Sequence, residues 1–283
     1  MTHVTRFAPS PTGRLHLGHA FSAIQAFNAA RDSGGRFLLR IEDIDVGRCR
    51  EEFVTAIEDD LHWLGLVWET PVRRQSEHLP DYRAALDRLA KMDLIYPCFL
   101  SRRDIQHALS APHGAPVSGP DGPAVVNADR LMPADERAAR LARGEPHALR
   151  LRMARAIEMA TARSGPLRWV DDQRGEQACD PIRFGDVVLA RKDTPTSYHL
   201  AVTVDDALQG VSLVVRGEDL FEASHVHRLL QALLDLPVPR WRHHRLLTDD
   251  QGRRFAKRDR SLTLRSMREA GRTLDDVRRM MGV

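Results

Sequence analysis

Two histidines one helical turn apart, in His16-Leu17-Gly18-His19, are among the residues best placed by type and spacing to do chemistry. They follow the loop sequence Pro9-Ser10-Pro11-Thr12-Gly13 and stand where that loop is predicted to enter a helix. A helix N-terminus carries unpaired backbone N–H groups and the positive end of the helix dipole, so it attracts phosphate. Two imidazoles at that point can donate to phosphate oxygens, and Gly18 keeps a Cβ out of space that an adenosine or phosphate needs. The same spacing also suits a metal-ligand pair or two packing side chains. A second cluster, Arg254-Phe255-Ala256-Lys257-Arg258, follows the tight-turn sequence Asp249-Asp250-Gln251-Gly252. Basic stretches of this kind are usually solvated surface. A loop bearing an ammonium can also stabilise the charge that builds on a departing pyrophosphate, and Lys257 is the candidate for that role.

Those groups need a scaffold, and hydrophobic patterning predicts one. Residues 3–8 read as a strand, residues 17–32 as a helix ending at Ser33-Gly34-Gly35, and residues 37–41 as a second, buried strand, which makes a βαβ unit. Phe53, Ile57, Leu61 and Leu64 predict an amphipathic helix over 50–64, with Glu58-Asp59-Asp60 on its solvated face. Tyr82, Leu86 and Leu89 predict another over 80–92, followed by a strand at 94–96. Residues 111–123 are too rich in Pro and Gly for regular structure. Strands are expected at 182–189, 198–204 and 211–215, and a helix at 224–234. The fold class is therefore α/β, a Rossmann-type parallel sheet split by an inserted subdomain. The expected organisation is a first catalytic half at 1–97, an insertion at 98–165, a second half at 166–245, and the basic loop with short C-terminal helices at 246–283.

Composition sets the outer limits. A 42% hydrophobic and 29% charged chain of 283 residues can bury a substantial core, and no apolar run approaches a membrane span. The N-terminus has no apolar h-region, so a cytoplasmic protein is expected. Cys49, Cys98 and Cys179 are odd in number and have no close pair, which argues against a disulfide framework or a complete cysteine zinc site. A net charge of +3 with an Arg-rich C-terminus permits a polyanion partner without demanding one. His225, His227, His243 and His244 have spacings that could hold a metal, but helix and loop packing is preferred.

Residues 6–19 read RFAPSPTGRLHLGH, and this segment resembles the first signature of the glutamyl and glutaminyl branch of class I aminoacyl-tRNA synthetases. The likeness continues through Arg40-Ile41-Glu42-Asp43, Tyr198-His199-Leu200-Ala201, Val204-Asp205-Asp206 and Val215-Arg216-Gly217-Glu218-Asp219-Leu220, and covers most of the chain. Residues 254–258 resemble the second signature, usually of K-L-S-K-R type, with Lys257 at its second lysine and with Arg254 and Ala256 as departures. The resemblance implies ATP with Mg2+ as co-substrate, bound through His16, Gly18, His19, Lys257 and Arg258. It also implies an L-glutamate pocket of Arg6, Ser10, Glu42, Tyr198 and Arg216, with Tyr198 a hydroxyl donor and Glu42 the ammonium partner. Two cations and an anion are what glutamate requires, because burying any of its charges unpaired costs several kcal/mol.

Only residues 259–283 follow the second signature, where the discriminating members of the family carry a long anticodon-binding region. In this respect the chain is similar to a shorter branch, which attaches activated glutamate to queuosine in the anticodon of tRNA(Asp), and tRNA(Asp) carrying queuosine is the implied partner. A monomer away from the membrane is expected. The family's zinc site needs a C-x-C pair plus a later tyrosine and cysteine. Here Cys98-Phe99-Leu100 keeps only the first ligand, Val125 and Asp129 stand at the later positions, and no structural zinc or other resident metal is expected. Three rivals remain open: the catalytic core of an ordinary glutamyl-tRNA synthetase, a small-molecule adenylating ligase, and a tRNA-binding paralogue without catalysis.

Overall fold

The structure is a computed structural model that describes residues 1–101, 103–104, 117–120, 122–125, 127–247 and 263–282. Strand β1 (Val4–Phe7), helix α1 (Leu17–Asp32) and strand β2 (Arg36–Ile41) form the expected βαβ unit, with β1 and β2 parallel. α1 packs Leu17, Phe21 and Ile24 into the core together with a run of alanines, which lets the helix lie close to the strands. Gly35 makes the return possible, since a Cβ there would come within 1.9 Å of the His3 carbonyl oxygen.

The chain continues through α2 (Glu51–Trp63), β3 (Glu69–Arg74) parallel to β2, α3 (Leu79–Lys91) and β4 (Ile95–Cys98). A short hairpin follows, β5 (Val117–Gly119) with β6 (Gly122–Ala124), then α4 (Ala134–Ala142), β7 (Ala148–Leu151) and α5 (Met153–Ser164). β8 (Arg168–Asp171) and β9 (Gly175–Ala178) make a second hairpin, and β10 (Val188–Ala190) joins β7 and β4 in an antiparallel sheet. Helix α6 (Tyr198–Leu208), β11 (Leu213–Gly217), α7 (Ala223–Leu233) and β12 (Arg240–His244) rebuild the parallel layer. Helices α8 (Leu264–Glu269) and α9 (Leu274–Met281) bury Leu264, Met267, Val277 and Met281 in the same core as α1.

The two parallel halves, β1-β2-β3 and β11-β12-β8, meet at β1 and β11. Ser212 N donates to the Val4 carbonyl oxygen (3.0 Å), and Val4 N donates to Ser212 Oγ (2.9 Å). The carboxyl ends of β1, β2 and β11 therefore lie side by side, the place at which an open parallel sheet binds its ligands.

Several expectations are corrected. Residues 198–204 form a helix rather than a strand, because every residue from His199 to Asp206 is buried. A helix enclosed on all sides shows no 3.6-residue alternation and reads like a buried strand. Of 182–189, only Val188 and Leu189 enter a strand, after a 3-10 turn at Pro181–Phe184. The Pro- and Gly-rich stretch holds the β5–β6 hairpin at its C-terminal end. β3, β8, β9 and β12 escape the sequence reading because charged residues interrupt their apolar pattern.

Asp60, expected on a solvated face, is 1% exposed, and neither carboxylate oxygen has a hydrogen-bond partner among the described residues. Its neighbour is Arg268 of α8, with Nη2 at 3.6 Å. Burial pushes this carboxyl up to about 6 from its ordinary value of 3.8, with Arg268 and Arg14 opposing only in part. The folded state thus holds the proton more tightly than the unfolded chain, and stability falls as pH rises from about 4 to about 6, then stays at the lower level. Asp60→Asn is expected to raise the thermal midpoint by about 3 °C or more at pH 7.5 and to change it little near pH 3.5. An unchanged midpoint at pH 7.5 would mean that Arg268 fully compensates the charge.

Candidate active site

His16 is the N-cap of α1, in extended backbone, and its Nδ1 accepts from Gly18 N (3.1 Å) while His19 Nδ1 accepts from His16 N (3.2 Å). This is a capping box built from two imidazoles, and their rings stack with centroids 3.8 Å apart. Capping consumes the Nδ1 lone pair of each ring, so each neutral imidazole carries its hydrogen on Nε2, where it is a donor. A Cβ at Gly18 would come within 3.0 Å of the His16 ring, so the glycine also serves the cap itself. Thr263, the N-cap of α8, pairs with His16 in an isolated antiparallel bridge, and Leu264 N donates to the Leu15 carbonyl (2.9 Å). The chain thus returns to the first histidine soon after the basic cluster; Lys257 and Arg258 themselves lie outside the described residues.

Next to this helix end the strand termini gather buried charge. Arg6 on β1 spans Asp206 of α6 with Nε at 3.0 Å and Nη2 at 3.4 Å. Arg40 on β2, wholly buried, donates to the same Asp206 (2.8 Å), to Gln209 (3.0 Å) and to Glu42 (3.2 Å). Beneath them Asp205 accepts from Arg73 (2.8 Å), Gln75 (2.8 Å) and Tyr82 (3.0 Å). Glu42 N donates to the Pro9 carbonyl (3.0 Å), which sets the carboxylate beside the loop that carries Ser10.

Arg216, on β11, is held differently. Its Nε points to His243 (3.1 Å), its Nη2 to Ser224 Oγ (2.8 Å) and the Leu220 carbonyl (3.0 Å), and its Nη1 to Tyr198 Oη (3.3 Å) and His227 Nδ1 (3.4 Å). Every partner is uncharged, and among the described residues no carboxylate lies within ion-pair distance of this guanidinium. Burial accordingly pushes Arg216 below its ordinary value, and Arg6 adds to the effect. Burial raises Glu42, against Arg40 and Arg6, and raises the Tyr198 hydroxyl, against Arg216. Burial also raises Asp206, but Arg6 and Arg40 outweigh it and leave that carboxyl below its usual range.

The predicted pocket residues Arg6, Glu42, Tyr198 and Arg216 are thus brought within electrostatic reach of one another, with Ser10 on the adjoining loop. Sequence reasoning missed Arg40, Asp206, Ser224 and His243 as parts of this site, although the sequence placed Arg40 inside an apolar strand, an anomaly that marks a buried charge. Asp45 makes a surface ion pair with Arg48 at 2.6 Å. Cys98 sits in an apolar cluster with Tyr96 and Ala128, Val125 packs against it, and the Asp129 carboxylate is engaged by Arg152. Among the described residues no three His, Cys, Asp or Glu side chains gather as a metal site, and no helix is long and apolar enough to cross a membrane.

The family model described as tRNA synthetases class I (E and Q), catalytic domain, matches residues 3–281. The chain belongs to this family. A protein of Rhodobacter capsulatus named Glutamyl-Q tRNA(Asp) synthetase is 51% identical over 99% of this chain and all of its own length. One of the same name from Nocardia farcinica is 42% identical over 96% of this chain and 81% of that protein. Among solved structures, a glutamate tRNA ligase from Elizabethkingia meningosepticum in complex with its amino acid superposes with a TM-score of 0.73 at 27% identity, over 92% of this chain. This chain spans 52% of that ligase. The fold is the class I synthetase catalytic fold, as the signatures imply.

The charge network makes a prediction about stability. Asp206→Asn leaves Arg6 and Arg40 buried without their shared carboxylate and should cost about 3–5 kcal/mol in urea unfolding. Arg36→Ala, which removes the exposed pair with Glu69, should cost about 1 kcal/mol or less. Equal costs would show that Asp206 does not carry the network.

Proposed function

We propose that this protein activates L-glutamate with ATP, in the absence of tRNA, and transfers it to queuosine in the anticodon of tRNA(Asp), acting as a cytoplasmic monomer. The observation that carries the glutamate reading is Arg216, a buried guanidinium held by neutral groups and lacking a carboxylate of its own. A buried cation in that state is poorly compensated until an anion arrives, and a substrate carboxylate supplies it. Tyr198 adds a hydroxyl to the same anion. Arg6, though already paired with Asp206, adds positive potential, and Glu42 receives the ammonium. Ser10 closes the pocket from the loop. The acceptor reading rests on the names of relatives that align with nearly the whole chain.

ATP is taken as its Mg2+ complex, with Gly18 and the α1 N-terminus against the phosphates. A glutamate carboxylate oxygen attacks the α-phosphorus, the bond to the bridging oxygen of the β-phosphate breaks, and pyrophosphate leaves. The Nε2–H groups of His16 and His19 donate to phosphate oxygens, and Lys257 with Arg258 meets the charge that grows on the leaving group. In the second step a cyclopentenediol hydroxyl of queuosine attacks the acyl carbon and AMP departs. No structural zinc enters this reading, because an apolar cysteine environment and a carboxylate already bound to arginine do not supply a tetrahedral donor set.

A pyrophosphate-exchange assay with glutamate and no tRNA tests the first step, and exchange is expected. Arg216→Gln should raise the glutamate KM by about tenfold or more, whereas Lys257→Ala should lower kcat by about a hundredfold with little change in that KM. Exchange that appears only when tRNA is added would favour an ordinary glutamyl-tRNA synthetase core, and none under any condition would favour a binding paralogue.

A further inference from the structure

We propose that His243 is a positioning residue which, anchored by Asp171, fixes the rotational setting of the Arg216 guanidinium for the glutamate carboxylate. The inference rests on the reading of Arg216 as a glutamate-binding residue and adds the device that aims it.

The geometry runs across three neighbouring strands. Arg216 on β11 stands directly opposite His243 on β12, and Asp171 ends β8 on the far side of β12. His243 Nδ1 lies 2.7 Å from Asp171 Oδ2, and His243 Nε2 lies 3.1 Å from Arg216 Nε. Arg216 Nε can only donate and the Asp171 carboxylate can only accept, so the imidazole must carry its hydrogen on Nδ1 and offer its lone pair at Nε2. Asp171 is itself fixed, its Oδ1 accepting from Gln173 N (2.9 Å) and Arg174 N (3.0 Å) and its Oδ2 from His243 N (3.2 Å). Asp171 is fully buried and His243 is 1% exposed, wedged edge-on between Trp169 and Phe221. The line has no freedom at either end.

The choice of an imidazole has a consequence for charge. A carboxylate in the place of His243 would orient Arg216 equally well but would also neutralise it, as Asp206 does for Arg6. A neutral nitrogen acceptor fixes the guanidinium and leaves its positive charge for the substrate. With Nε committed to His243, and Nη2 to Ser224 and Leu220, Nη1 stands between Tyr198 Oη and His227 Nδ1, on the side where Glu42 and Arg6 act on that hydroxyl. Burial, reinforced by Arg216 and opposed by Asp171, holds His243 below its ordinary value, which favours the neutral ring.

Two replacements of one histidine separate aiming from packing. Gln places an oxygen acceptor where Nε2 was and Asn places an amide donor where Nδ1 was, while both remove the ring. His243→Asn is expected to raise the glutamate KM in pyrophosphate exchange by about tenfold, with kcat and the ATP KM within about threefold of the unmodified enzyme. His243→Gln should keep the glutamate KM within about threefold of the unmodified value. Equal KM values in the two variants would overturn the proposal, and so would an unchanged KM in His243→Asn while Arg216→Gln raises it. Failure of Arg216→Gln to raise the KM would instead remove the glutamate reading itself. A measurement on the unmodified protein needs no variant to fold: 15N shifts of the His243 ring near neutral pH should show a protonated Nδ1 and a bare Nε2, the tautomer that Asp171 and Arg216 require. A ring protonated at Nε2 contradicts the proposal.

Discussion

The carboxylate of Asp206 joins strands and a helix that the sequence keeps far apart. It accepts from Arg6 on the first strand and Arg40 on the second, and it belongs to a helix some 170 to 200 positions later in the chain. Burying either guanidinium without that carboxylate costs several kcal/mol, so the two arginines and the helix that carries Asp206 stabilise one another in the core. The same helix begins with Tyr198, and the strand after it carries Arg216 as its last residue but one. One ion network thereby fixes the register between the two halves of the sheet and, with it, the spacing of Arg6, Glu42, Tyr198 and Arg216, the proposed amino-acid pocket.

Against that background the two pocket arginines differ in kind. Arg6 is neutralised by a bidentate carboxylate and serves structure as much as binding. Arg216 is surrounded by a phenol, a hydroxyl, a carbonyl and imidazoles, all of which orient it without cancelling its charge. The fold spends stability on a poorly compensated cation at one point, and that point is where we propose the glutamate carboxylate binds. The stacked pair His16 and His19 follows a related logic, because using Nδ1 to cap the helix sets Nε2 as the donor edge.

Much of this was legible in the residues. The βαβ unit and the long helices follow from periodicity, and the family resemblance proposes the pocket set Arg6, Ser10, Glu42, Tyr198 and Arg216, of which the fold gathers Arg6, Glu42, Tyr198 and Arg216 within electrostatic reach. The helix at Tyr198–Leu208 was not legible, since its faces are all buried and its β-branched residues imitate a strand. Strands such as Arg240–His244 were hidden by charged residues whose partners lie on distant segments. Asp60 was misread for the same reason: a carboxylate in an acidic run looks solvated until a later helix covers it. Local pattern reports local environment, and these positions take theirs from long-range packing.

The central claim joins glutamate chemistry to an acceptor that is not a tRNA 3' end. Its most direct test is transfer of labelled glutamate to purified tRNA(Asp), prepared with and without queuosine. The account predicts label on tRNA(Asp) only when queuosine is present. Label on the 3' end of tRNA(Glu), or on tRNA(Asp) regardless of its modification, would contradict it.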